Sequence, residues 1–253
     1  MVIGMNYLCI SDFEGTLIKT DGSISNKTIE YINKFTNDNS FIIVSEASFN
    51  LLNEFKNKYQ LNVDLFSVSE GILSINNQII AYYLDAKLIN KLVDLFKDYI
   101  YTAYSNDTVY NYQERLINLY PKNYKISDNF IDSTFINISI DINKNDDFIR
   151  FLESNDISYL LIGKDKNRAF YNIKSQNINK ESAYDYLMKY YKNKKTIGIA
   201  DSYSDLGLLN KCDIKYAMSN SDNKLKENID NISNYSNNED GIYHILNDIC
   251  HLE

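Results

Sequence analysis

Apolar and polar positions follow two rhythms along this chain. Tyr7-Leu8-Cys9-Ile10 and Phe41-Ile42-Ile43-Val44 are short unbroken apolar runs, the pattern of strands buried on both faces. Between them Thr28-Ile29-Glu30-Tyr31-Ile32-Asn33-Lys34-Phe35 repeats at helical spacing, after a turn at Asp21-Gly22-Ser23-Ile24-Ser25 that supplies an N-cap. This β-α-β order predicts parallel strands joined by a right-handed crossover. A helix over residues 49–59, a strand over 65–69 and a hairpin over 72–83 turning at Asn76-Asn77 extend the pattern.

From about residue 84 the rhythm changes. After a helix over 86–96, segments such as residues 99–104, 108–112 and 135–140 alternate apolar with polar side chains, which predicts an antiparallel sheet with one wet face. A helix over 146–154 and strands over 157–162 and 168–173 complete an inserted α+β module spanning residues 82–170, with a loosely ordered polar middle over 118–132. The β-α alternation then resumes, so residues 1–81 and 171–253 read as one core domain. Its second part predicts a helix from Lys180, capped by Asn179 or Asn177, and a buried strand Thr196-Ile197-Gly198-Ile199-Ala200. A last strand over 214–218 and helices over 224–229 and 241–249 follow.

Composition narrows the possibilities. With 44% hydrophobic residues the chain can bury a core, and no apolar run reaches the length of a membrane span. The net charge of -8 disfavours nucleic acid and anionic lipid as partners. Three cysteines without metal-ligand spacing, and no basic region before the first strand, lead to the expectation of a cytoplasmic protein with reduced thiols. Both histidines lie near the C-terminus, far in sequence from the acidic cluster, so acid-base chemistry falls to carboxylates.

The candidate chemistry sits where strands end. The first strand stops at Asp12-Phe13-Glu14-Gly15-Thr16, two carboxylates that cannot be stranded in a core, although an ordinary turn has the same appearance. Ser45 ends the second strand at the same carboxyl edge, and it could equally cap the helix that follows. Lys180 opens a helix, at the end whose dipole disfavours a cation; it either points at an anion or stands exposed in water. Asp201-Ser202-Tyr203-Ser204-Asp205 again places acids past a strand, with Ser204 also a candidate helix cap. Oxygen ligands gathered without histidine or cysteine favour Mg2+.

Taken in order, these stretches resemble the motifs of haloacid dehalogenase-superfamily phosphatases, Cof-like group, with the larger α/β cap between the second and third motifs. Asp12-Phe13-Glu14-Gly15-Thr16-Leu17 is similar to the first motif, Ser45 to the second, Lys180 to the third, and residues 201–205 to the fourth. Met218-Ser219-Asn220-Ser221 and Asn238-Glu239-Asp240-Gly241-Ile242 resemble the tail of that group. The resemblance implies an α/β fold: a Rossmann-like doubly wound parallel sheet core with an inserted α+β cap domain. It implies Asp12 as nucleophile and Glu14 as general acid and base. It further implies Ser45, Lys180 and Ser204 around the phosphoryl group, and Mg2+ held by Asp12, the Glu14 carbonyl and Asp201, with Asp205 on its water shell. The cap would close over the site and choose the leaving group.

The implied reaction is hydrolysis of a small phosphorylated metabolite, a sugar phosphate in the first instance, through an aspartyl-phosphate. Departures from the pattern keep alternatives open: Glu14 where a second aspartate is usual, Glu46-Ala47 in place of Gly-Arg, Ala200 in place of glycine, and Ser204 and Glu70 each in place of asparagine. A non-catalytic phospho-ligand-binding paralogue and a phosphomannomutase-like phosphotransferase are the two other readings. Neither the substrate nor the oligomeric state is legible in the residues.

Overall fold

The computed structural model describes residues 6–96, 100–105, 108–111, 125–126, 135–174 and 178–250. In chain order it opens with β1 (Tyr7–Ser11), α1 (Asn26–Phe35), β2 (Ser40–Ser45), α2 (Phe49–Lys58), β3 (Asp64–Ser67), β4 (Ile72–Ile75) and β5 (Gln78–Ala81). The Ser25 side chain accepts from the Thr28 N–H at 3.1 Å and so fixes where α1 begins. Asn76 and Asn77 both adopt positive φ, 51° and 63°, the backbone that a two-residue hairpin between β4 and β5 demands.

The insert contributes α3 (Ala86–Leu95), β6 (Ile100–Ser105), β7 (Thr108–Asn111), β8 (Lys125–Ile126), β9 (Phe135–Asp141), α4 (Asn145–Ser154), β10 (Ser158–Lys164) and β11 (Arg168–Lys174). The chain returns with α5 (Lys180–Leu187), β12 (Lys195–Ala200), α6 (Leu206–Lys211), β13 (Ile214–Ala217), α7 (Asn223–Lys226) and α8 (Gly241–Cys250). Two compact units result: Met1–Ser69, Leu73–Ile80 and Asn179–Glu253 in one, Glu70–Ile72 and Ala81–Ile178 in the other.

The first unit is built on a sheet ordered β13-β12-β1-β2-β3-β4-β5. From β13 to β3 every pairing is parallel. Leu8, Cys9 and Ile10 of β1 and Ile42 and Ile43 of β2 are fully enclosed, as continuous apolar runs require. From β1 the chain moves outward to β2 on one side, and only after the insert does it come back to β12 on the other. This reversal leaves a crevice at the carboxyl ends of β1, β2 and β12, the place where open α/β sheets hold their ligands.

The second unit is a sheet ordered β10-β11-β9-β6-β7-β8. One face of it packs on its helices: Ala169, Tyr171 and Ile173 of β11 are buried with Phe148 and Leu152 of α4 and Leu92 of α3. Residues between them, such as Phe170 and Asn172, stay partly or fully exposed, the alternation of a sheet with one wet face. The expectation of a purely antiparallel sheet needs one correction, because β8 runs parallel to β7. Of the polar middle over 118–132, only β8 lies within the described residues. Tyr99, Tyr112 and the alternative cap Asn177 also lie outside them. Among the described residues no helix is long and apolar enough to cross a membrane.

Candidate active site

Asp12 sits one residue past β1, and its N–H donates to the Ile199 carbonyl of β12 at 3.0 Å, so the backbone there is held by the neighbouring strand. The chain then folds into a tight turn over Phe13–Leu17, closed by a 3.1 Å bond from the Ile18 N–H to the Phe13 carbonyl. Phe13 anchors it, edge-on to Phe55 at 4.9 Å. Gly15 takes φ +70°, and a Cβ there would stand 2.3 Å from Asp201 Oδ2. Glycine is therefore required twice, by the backbone and by the approach of the carboxylate. Gly15→Ala is expected to push Asp201 off its position and to lower stability by about 1–3 kcal/mol, read by urea unfolding; a midpoint equal to that of wild type would count against the placement.

The turn is braced from the other end of the chain. Asn220, just past β13, donates from Nδ2 to the Gly15 carbonyl at 2.8 Å, and Asn237 donates to the Ile18 carbonyl at 2.8 Å. The Asn237 N–H in turn donates to Asn220 Oδ1 at 3.0 Å. The resemblance in the tail thus acquires a physical content: these amides hold the loop that carries Asp12 and Glu14. The residue types alone did not single out Asn220, although its place after a strand of this sheet was the available clue.

Lys180 shows why a lysine opens α5. Asn179 caps the helix, accepting from the Ser182 N–H at 2.8 Å. Lys180 is buried, with Nζ 2.8 Å from Asp12 Oδ1 and 2.7 Å from Asp205 Oδ1. The alternative of an exposed lysine in water is thereby set aside, since two carboxylates outweigh the unfavourable helix end. Burial pushes the ammonium down, but Asp12 and then Asp205 push harder, and its pKa lies above the ordinary lysine value.

Asp201 follows β12 and accepts from Thr16 Oγ1 at 2.9 Å. Burial raises its carboxyl pKa, with the Thr16 bond opposing and Asp12 reinforcing the rise. Asp205, fully buried at the start of α6, is pushed up to about 7 by burial and then by Asp12, with Lys180 opposing. Its Oδ2 meets no hydrogen-bond donor among the described residues.

Ser45 ends β2, buried, and accepts from the Ala47 N–H at 3.0 Å. The cap of α2 is Ser48, which accepts from the Leu51 N–H at 3.3 Å, so the reading of Ser45 as that cap is corrected. Ser204 is likewise not the helix cap: Ser202 accepts its N–H at 3.3 Å and starts the turn, leaving Ser204 exposed.

Asp12, Glu14, Ser45, Lys180, Asp201 and Ser204 line one cavity of about 590 Å3. Glu46 and Glu181 line it too, each next in sequence to a predicted site residue. Asp205 stands behind this lining, reached through Lys180.

As the side chains stand, no three His, Cys, Asp or Glu residues among those described are grouped to hold a metal ion. The Lys180 ammonium stands there instead, bridging Asp12 and Asp205. The donor set still suits a hard cation. It offers only oxygen, and it includes a buried carboxylate oxygen of Asp205 without a hydrogen-bond partner among the described residues.

Residues 9–246 match the family model of haloacid dehalogenase-like hydrolases. The chain belongs to that family. Among solved structures this hydrolase is similar to TM0651 from Thermotoga maritima, at TM-score 0.76 and 18% identity over 96% of this chain and 97% of that one. A haloacid dehalogenase-like hydrolase from Bacteroides thetaiotaomicron aligns at TM-score 0.70 and 16% identity, covering 96% and 99%. BT1666 from the same organism, described among phosphatases of the haloalkanoate (HAD) enzyme superfamily, aligns at TM-score 0.68 and 15% identity, covering 96% and 95%. Comparison with curated proteins gives no match. At these identities the likeness speaks for the fold, a Rossmann-like α/β core with an insert.

Proposed function

We propose that this haloacid dehalogenase-like hydrolase is a magnesium-dependent phosphatase of a small phosphorylated metabolite of the sugar-phosphate kind. The observation that carries the reading is Lys180, buried at the switch point of the sheet with its ammonium 2.8 Å from the Asp12 carboxylate, in a cavity that also presents the Ser45 hydroxyl. A carboxylate, a fixed cation and a hydroxyl at one strand edge are what transfer of a phosphoryl group requires. Residues 1–81 and 171–253 carry the chemistry in this reading, and residues 82–170 form the cap domain. The free cysteines support a reducing, cytoplasmic setting.

In the first step an Asp12 carboxylate oxygen bonds to phosphorus as the bond to the leaving oxygen breaks, and Glu14 gives its proton to that oxygen. In the second, Glu14 takes a proton from water, whose oxygen attacks the aspartyl-phosphate, releasing inorganic phosphate and restoring Asp12. Ser45 and Lys180 donate to the equatorial oxygens in both displacements, and Ser204, on the exposed part of the lining, would donate to the same group. Asp12, the Glu14 carbonyl and Asp201 would hold a magnesium ion, with Asp205 on its water shell. When bound, the ion neutralises charge on the transferring group.

Phosphate release across a panel of phosphorylated metabolites, with magnesium and with chelator, tests the reading. Turnover that chelator abolishes and magnesium restores is the expected result. Silence on every member, with magnesium present, would replace the phosphatase by a protein that binds a phosphorylated ligand.

A further inference from the structure

The cavity around Asp12 carries more negative charge than a phosphate site needs. Five carboxylates line it, those of Asp12, Glu14, Glu46, Glu181 and Asp201, against the single ammonium of Lys180. That ammonium is already engaged by two carboxylates, one of them Asp205 from behind the lining. A magnesium ion would answer the deep group of Asp12, Asp201 and Asp205. It leaves the carboxylates of the exposed lining, Glu14, Glu46 and Glu181, the last of them in the first turn of α5, where the helix end favours an acid but supplies only part of a charge.

Glu14, exposed like the other two, is the one assigned to proton transfer; Glu46 and Glu181 have no such role. Both are exposed at the mouth, next to Ser45 and Lys180, and neither makes an ion pair or hydrogen bond among the described residues. Glu181 is seated rather than loose. Its stem lies over Gly207 of α6, where an added Cβ would come within 2.8 Å of its Cβ and Cγ, so only glycine leaves room for it. A phosphate monoester already brings up to two negative charges to this mouth. A neutral or anionic leaving group would add nothing to offset the two rim carboxylates, whereas a cationic one would be attracted by both.

We propose that Glu46 and Glu181 make the site selective for phosphomonoesters whose leaving group carries a positive charge, an amino alcohol or amino sugar. The inference rests on the phosphatase reading for the word leaving group, and on the rim alone for the charge.

Binding separates the two ideas. Calorimetry in magnesium buffer would compare 2-aminoethylphosphonate, 2-hydroxyethylphosphonate and phosphonoacetate, which resist hydrolysis and differ in the charge at the far end. The amine is expected to bind about tenfold more tightly than the alcohol, and the acid most weakly. In the Glu46→Gln, Glu181→Gln double variant the ratio of amine to alcohol should fall close to one. Failure of the amine to lead in wild type, including failure of all three to bind, overturns the proposal, and so does a ratio unchanged in the double variant. Hydrolysis of phosphoethanolamine and 2-hydroxyethyl phosphate is measured in parallel. Amine-selective binding without any hydrolysis would uphold the charge selectivity and remove the phosphatase; hydrolysis without selectivity would do the reverse.

Discussion

Asp12→Asn lowers phosphate release by at least about 10⁴-fold while the unfolding midpoint stays the same or rises. The two halves of this expectation have one cause. An amide oxygen is a poor nucleophile toward phosphorus, so the covalent route closes. The same oxygen can still accept from Lys180, whose Nζ lies 2.8 Å from Asp12 Oδ1, so the local packing survives. Replacing the carboxylate also removes one negative charge facing Asp201 and Asp205, each of whose pKa values Asp12 helps to raise. Relief of that repulsion offsets the loss of a charged partner for the lysine. Steady-state phosphate release and urea unfolding of the same preparation provide the check. Turnover near the wild-type rate would sink the nucleophile assignment, and a collapse of the midpoint would show that Asp12 serves the fold first.

Lys180→Met is expected to act on both quantities at once. Removing one partner from a buried ion pair leaves the other charge enclosed without compensation, a loss of about 3–5 kcal/mol, and here two carboxylates are left. Asp205 has no other donor among the described residues to turn to. Activity should fall about 100- to 1,000-fold, because the positive charge that would meet the equatorial oxygens is gone. Magnesium should raise the unfolding midpoint of the variant by more than it raises that of wild type, since a divalent ion can supply part of the missing charge. Lys180→Arg is not a rescue, because the planar guanidinium cannot occupy the space of a compact ammonium held by two carboxylates. Chelator and magnesium titrations of both proteins, followed by denaturation, decide it. An unchanged midpoint with unchanged kcat would mean that the two short contacts contribute nothing.

These two variants also mark the boundary between what residue order could tell and what it could not. The apolar runs at residues 7–10, 41–44 and 196–200 determined that β1, β2 and β12 are buried strands, because an unbroken apolar run is stable only with both faces covered. Polar residues at once after those runs determined that Asp12, Ser45 and Asp201 lie at one edge, since parallel strands share a direction. The alternation over the insert likewise determined a sheet with a single wet face, as β11 shows.

Pairing across sequence distance was decided by tertiary structure. Ser45 and Ser204 each had a local alternative as a helix cap, and only where the helices begin, after Ser48 for α2 and after Asp205 for α6, assigns the caps elsewhere. Whether Lys180 was exposed or engaged depended on residues 168 positions earlier and 25 later, brought within 2.8 Å and 2.7 Å by the return of the chain to the far side of β1. The brace from Asn220 to Gly15, 205 residues apart, and the seating of Glu181 over Gly207 belong to the same class. Local pattern determines which side chains must avoid the core and where strands deliver them. Which of those side chains meet, and which charge remains without an answer, follows from the order of strands in the sheet, because Coulomb energy and burial depend on distances in space rather than on spacing along the chain.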